Sequence, residues 1–167
     1  MMLYKIIWLC FFIDVVNAFG RTQSVAVEGV LMCDDQQARD VLVKLYEEDT
    51  LTPDELMDSS KTDNHGKFRL SGFAEEITEI DPKINIYHDC DDGIKVRYTV
   101  HYVKASIMNH HHRIIKPFSF QPCQRKLTIY IPSQYITNTK QPTKTFNLGI
   151  LQLAAEYPDE ERDCFHA

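Results

Sequence analysis

Beyond its first 18 residues the chain has no stretch apolar enough to cross a bilayer, and its C-terminus is polar. It has no Cys-x-x-Cys pair, the spacing that builds four-thiolate zinc sites. It has no Asn-x-Ser/Thr sequon, so N-glycosylation is not expected. It also lacks an excess of basic charge. The formal net charge is −6, which leaves no general electrostatic footprint for nucleic acid or an anionic membrane.

What is present starts at the N-terminus. Met1 to Lys5 carries positive charge, Ile6 to Ile13 is an unbroken apolar run, and Val16-Asn17-Ala18 offers small residues at the peptidase positions. This is the order of a secretory signal peptide, and cleavage is expected after Ala18. A membrane-spanning helix needs about 20 apolar residues, and Asp14 interrupts this run well before that. Residues 19–167 then have the size of one domain with one core, expected outside the cell. Cys33, Cys90, Cys123 and Cys164 remain in that part, an even number in an oxidising compartment. They are read as two disulfides, with three pairings open.

The periodicity is that of strands. Val25, Val27 and Leu31 share one face of a first strand ending at Cys33, and Val41, Val43 and Leu45 form the inner face of a second, with Lys44 and Tyr46 outward. Asp34-Asp35-Gln36-Gln37 joins the two, which predicts a hairpin or an adjacent pair. Pro53 to Asp58 is read as a loop with at most one helical turn. Asp63, Asn64 and Gly66 signal a tight turn into a hairpin whose Phe68 and Leu70 enter the core. Ile84, Ile86 and His88 alternate with Asn85 and Tyr87, and Leu127, Ile129 and Ile131 alternate until Pro132. A last strand from about Thr145 to Leu153 changes phase near Gly149, as at a β-bulge. About seven strands with this punctuation predict an all-β sandwich.

Few residues offer chemistry. His88 shares its face with Ile84 and Ile86 and is expected to be a core or interface histidine with a satisfied hydrogen bond. Asp91, Asp92 and Gly93 are read as a tight turn, since the segment lacks the spaced ligands and terminal Glu of an EF-hand. Cys90 is excluded as a nucleophile if it is disulfide-bonded, because only a thiolate reacts. No catalytic, cofactor-binding or metal-ligating residue is assigned. Tyr46, Tyr87 and Tyr130 alternate with apolar residues, which places them on outer faces as surface contacts or as ordinary cross-strand pairs.

Several segments resemble the nematode transthyretin-like family. They are Arg21-Thr22-Gln23-Ser24-Val25, Val43-Lys44-Leu45-Tyr46-Glu47, Thr62 to Phe68, Ile84 to Cys90, Pro122-Cys123-Gln124-Arg125-Lys126, Lys144-Thr145-Phe146 and Glu160-Glu161-Arg162-Asp163-Cys164. The resemblance implies a transthyretin-like β-sandwich, secretion, and non-enzymatic extracellular roles with no identified ligand. A small apolar molecule, a lipid or a partner protein fits that description, and open sandwich edges allow a homodimer. The alternatives are a structural component of the extracellular matrix and a hydrolase of the 5-hydroxyisourate type found in the wider fold family. Those hydrolases carry site histidines and an arginine and end in Tyr-Arg-Gly-Ser. This chain ends Arg162-Asp163-Cys164-Phe165-His166-Ala167 and has no histidine in its first strand.

One departure from the family pattern is large. In the family the segment after Cys90 runs directly into Pro-Cys-Gln-Arg-Lys, whereas here 26 residues, Val96 to Gln121, stand between Lys95 and Pro122. They include no acidic residue and contain His101 and the adjacent His110, His111 and His112, which lack the spacing that presents several ligands to one metal. Val-Arg can be encoded as a splice donor and Phe-Gln as a splice acceptor, and whole codons keep the frame. The preferred reading is a retained intron, and the alternative is a surface loop of modest closure entropy. Cys90 ends one strand and Cys123 precedes the next, so the pairing expected is Cys90 with Cys123 and Cys33 with Cys164. The insertion then enlarges the ring closed by the first bond. Transcript sequencing across the Lys95 and Pro122 codons is expected to find message in which the two are adjacent. Abundant message carrying only the longer form would instead establish the loop.

Overall fold

The computed structural model describes residues 20–49, 52–92 and 123–165. Residues 1–18, read above as a signal peptide, Gly93, and residues 96–121, read above as an insertion and carrying four histidines, lie outside the described residues. The strands are β1 (Arg21–Cys33), β2 (Gln36–Gln37), β3 (Leu42–Glu47), β4 (Glu55–Lys61), β5 (Lys67–Glu76), β6 (Pro82–His88), β7 (Gln124–Tyr130), β8 (Thr145–Gln152) and β9 (Glu161–Asp163). One sheet is built on β1, which pairs antiparallel with β2 and β5 and parallel with β8. The other has the order β4-β3-β6-β7-β9, antiparallel throughout. The fold is the all-β sandwich that the alternation predicts.

The core forms where the inner rows of the two sheets meet. Val25, Val27 and Leu31 of β1 and Phe68 and Leu70 of β5 face Val43 and Leu45 of β3, Ile84 and Ile86 of β6, and Leu127 of β7. Period-two alternation puts each set on one face, and burial of this row is the main favourable term for the fold. Gly66 adopts φ 70°, and the Asp63 carboxylate accepts the His65 and Lys67 N–H groups, closing the turn that the composition indicates. Gly149 at φ 73° sits where the β1–β8 register shifts, which is the expected bulge.

Three local expectations are corrected. Only the two residues of β2 form a hairpin with β1, and Val43 and Leu45 belong to the opposite sheet. The chain crosses between sheets at Asp40, which has φ 56°, held by Thr62 Oγ1 donating to the Ala38 carbonyl at 2.6 Å and accepting the Val41 N–H at 3.0 Å. The stretch read as a loop around Pro53 to Asp58 becomes the edge strand β4 from Glu55 onward, because β3 offers it a free row of backbone partners, with a bulge opposite Leu45 and Tyr46. The Asp63–Lys67 turn is a corner rather than a hairpin, since β4 and β5 lie in different sheets.

The disulfides are Cys33–Cys90 and Cys123–Cys164, not the pairing expected from the sequence. The β6–β7 register does bring His88 opposite Arg125, and its continuation would place Cys90 opposite Cys123. The ladder stops there, however, as Asp91 takes φ 52° and Cys90 turns across the sandwich to the end of β1. Cys123 pairs with Cys164 because β9 lies along β7 with Gln124 opposite Asp163, which makes the two cysteines the next facing pair, with Cα atoms 4.1 Å apart.

Non-reducing peptide mapping of the oxidised protein is expected to recover Cys33 linked to Cys90 and Cys123 linked to Cys164. The Cys33→Ser/Cys90→Ser double variant should lose about 2–4 kcal/mol in urea unfolding, the usual contribution of an unstrained bond. A recovered Cys90–Cys123 peptide would overturn the assignment.

Candidate functional site: a histidine pocket at the stapled end

The Cys33–Cys90 bond closes one end of the sandwich, and a pocket of about 280 Å³ opens beside it. Its walls include Cys33, Ala38, Val41, Cys90 and Leu153, with Arg39, Asp40 and Asp89 contributing polar groups. His88, the last residue of β6, also lines it. Four stretches therefore meet here: the end of β1 with the crossing that follows, the end of β6 with the residues after it, Gln124 at the start of β7, and Leu153 just after β8.

His88 is only 2% exposed, and neither ring nitrogen has a hydrogen-bond partner among the described residues. The sequence places it correctly on the core face beside Ile86, but the satisfied hydrogen bond expected of it is not found. Its pKa is lowered from the ordinary 6.5, first by burial and then by the nearby Arg125 guanidinium. The ring is therefore neutral near neutral pH, with one nitrogen a donor and the other an acceptor.

Arg125, opposite His88 on β7, is 7% exposed. It donates to the carbonyls of Cys90 at 2.8 Å, Leu153 at 3.2 Å and Ala155 at 2.8 Å, and binds the Glu160 carboxylate through Nε and, at 2.7 Å, through NH2. This pairing holds the Glu160 carboxyl below its usual range. Arg162 forms a second, more exposed clamp on Asp92, with NH2 to Oδ1 at 2.7 Å, and also donates to the Cys123 carbonyl at 3.1 Å. The Asp91–Asp92 segment is the expected turn, with Asp92 N–H donating to the Asp89 carbonyl at 3.1 Å. Its one strongly held carboxylate is occupied by a guanidinium.

The tyrosines divide. Tyr130 is 58% exposed and Tyr46 half-buried, but Tyr87 is 4% exposed and is no surface contact. It lies on the central strand of its sheet, where Leu42 and Lys126 flank it and the Lys44 ammonium stands 5.8 Å from its ring centroid. Burial pushes its hydroxyl up to about 12. Lys44 points outward as expected and is buried on that same outer face. Sequence reasoning missed Arg125 and Glu160 as a buried pair. The signal was present, since Arg125 continues the inward row of Leu127 and Ile129, where a charge needs a partner.

A disulfide-stapled two-sheet sandwich with a side pocket is the class that these features define. The transthyretin-like family model matches residues 28–132. Transthyretin-like protein 5 of Caenorhabditis elegans is 42% identical over 162 residues, covering 96% of this chain and 98% of its own. Transthyretin-like protein 33 of the same organism is 38% identical over 146 residues, covering 87% and 84%, and transthyretin-like protein 2 is 36% identical over 153 residues, covering 88% and 86%. The chain belongs to the transthyretin-like family.

The lowered pKa of His88 fixes a sign. Between the folded pKa and 6.5 the unfolded chain binds the proton that the folded protein refuses, so this residue's contribution to stability is present above pH 6.5 and is lost as pH falls through the folded pKa. The stability difference between the protein and its His88→Leu variant, measured by urea unfolding, should shift in favour of the variant below pH 6.5 and stay flat above it. A difference independent of pH would show that His88 titrates normally.

Proposed function

We propose that this chain is a secreted, non-enzymatic binding module that takes a small, largely apolar ligand carrying one hydroxyl or carbonyl group into the pocket beside Cys33–Cys90. The observation that carries this reading is buried His88 in the lining of that pocket, whose two ring nitrogens have no hydrogen-bond partner among the described residues. Buried polar atoms are nearly always hydrogen-bonded, and a neutral imidazole can serve either a donor or an acceptor. Cys33, Ala38, Val41, Cys90 and Leu153 supply apolar contact beside the polar groups of the lining. All four cysteines of residues 19–167 are held in disulfides, which removes their thiolates from chemistry and suits an oxidising compartment. Removal of residues 1–18 as a signal peptide would deliver the chain there.

A binding screen with a simple phenol and a medium-chain fatty alcohol, followed by imidazole NMR of the oxidised protein, tests the reading. Saturable perturbation of the His88 ring is expected, and His88→Leu should weaken binding by roughly five-fold or more, the effect of a lost buried hydrogen bond. Perturbation elsewhere that survives the substitution would move the site. Turnover of 5-hydroxyisourate would replace binding with catalysis.

A further inference from the structure

At the end of the sandwich opposite the pocket, two apolar inner rows finish on acids. On β3, Val43 and Leu45 are followed two residues later by Glu47, and on β5, Phe68, Leu70 and Ala74 are followed by Glu76. The two strands belong to different sheets, so both rows run out at the same end and their carboxylates meet between the sheets. Asp49, two residues beyond Glu47, joins them. One oxygen from each of Glu47, Asp49 and Glu76 lies within 4.8 Å of the other two.

Glu47 is not an ordinary surface acid. It is 3% exposed, and among the described residues Oε1 accepts only a long bond of 3.5 Å from the Asp81 N–H while Oε2 has no hydrogen-bond partner. Among the described residues, none of the three carboxylates takes part in an ion pair. The nearby Lys83 ammonium is committed to Glu48 at 2.7 Å and Asp54 at 2.8 Å. A buried carboxylate facing two others is costly unless something positive or a proton stands between them. Burial, with Asp49, Glu76 and Asp81 adding to it, raises the Glu47 carboxyl to about 7.

We infer that Glu47, Asp49 and Glu76 form a binding site for a divalent cation, Ca²⁺ in preference to Mg²⁺. The donors are all oxygen, which suits hard cations. Their separation fits within the span of about 5 Å between opposite ligands of Ca²⁺ at 2.3–2.6 Å, and ligands at strand ends suit its irregular coordination better than the strict octahedron of Mg²⁺. The site is independent of the pocket, so either can fail without the other. Bound cation would join the ends of β3 and β5 across the two sheets, where no disulfide does so.

The test uses oxidised protein stripped with EDTA and dialysed, titrated with CaCl₂ and separately with MgCl₂ at fixed ionic strength near pH 7.5, and followed by calorimetry and thermal unfolding. Saturable Ca²⁺ binding is expected in the range of extracellular modules, with Kd roughly 10⁻⁴–10⁻³ M, accompanied by a rise in Tm. Mg²⁺ should bind at least about ten-fold more weakly. Asp49→Asn and Glu76→Gln, both at partly exposed positions, should each weaken Ca²⁺ binding about ten-fold or more while circular dichroism shows an unchanged fold. Glu47→Gln should abolish the Tm response. Absence of a saturable response at about 10 mM Ca²⁺, or an undiminished response in Asp49→Asn and Glu76→Gln, overturns the inference even if Glu47→Gln fails to fold.

Discussion

The rest of the stapled end depends on one buried charge. Arg125 stands on the inward row of β7, where an apolar residue would continue the core, and its guanidinium is neutralised by Glu160 while it gathers the carbonyls of Cys90, Leu153 and Ala155. A guanidinium presents several donors in a fixed plane, so satisfying it fixes the segments that supply the acceptors. Here those segments are the residues after β6, the residues after β8 and the approach to β9. Removing one partner of such a pair costs far more than the pair itself contributes, because the other is left buried and charged, about 3–5 kcal/mol. With the Cys90 carbonyl held by Arg125, its sulfur is bonded to Cys33, and His88 stands opposite Arg125 and lines the pocket.

The same end shows how a small sandwich manages its edges. β9 is only three residues long and would be a poor strand by itself. The Cys123–Cys164 bond, the Lys126–Glu161 ion pair at 2.6 Å and the Arg162 contacts to Asp92 and Cys123 hold it along β7. A short, covalently fixed and charged strand is a poor template for pairing with another chain. The first sheet solves the same problem less completely, since β8 is longer, lies parallel to β1, and exposes Ile150 beyond its bulge.

Which residues face inward was legible from alternation alone: Val25, Val27, Val43, Leu45, Ile84, Ile86 and Leu127 are all buried as their spacing implies. The Gly66 turn and the Gly149 bulge were legible because both need a positive φ that glycine supplies most cheaply. Sheet membership was not, since a period of two gives the face of a strand but not its neighbour. The short Asp34 to Gln37 connection predicts β3 beside β1, whereas the Asp40 crossing sends it to the other sheet. Cysteine pairing failed for a related reason: the order of strand ends in the sequence sets Cys90 and Cys123 side by side, but it does not show the point at which the β6–β7 ladder stops. The pocket was legible only as His88 on an apolar row, and the acids at the other end were hidden because Glu47 and Glu76 come together only through tertiary packing. Several stretches that carry the family resemblance supply this machinery, with Cys90, Arg125, Glu160 and Arg162 all within them.

The observed connectivity has a topological consequence. One covalent ring runs from residue 33 to 90 and the other from 123 to 164, so the two neither overlap nor nest. Everything between Cys90 and Cys123, including the 26 residues from Val96 to Gln121, belongs to neither ring. With Cys90 joined to Cys123, each added residue would have enlarged a cross-linked loop. As the bonds stand, this interval lies outside both closed loops, so a change in its length alters the size of neither.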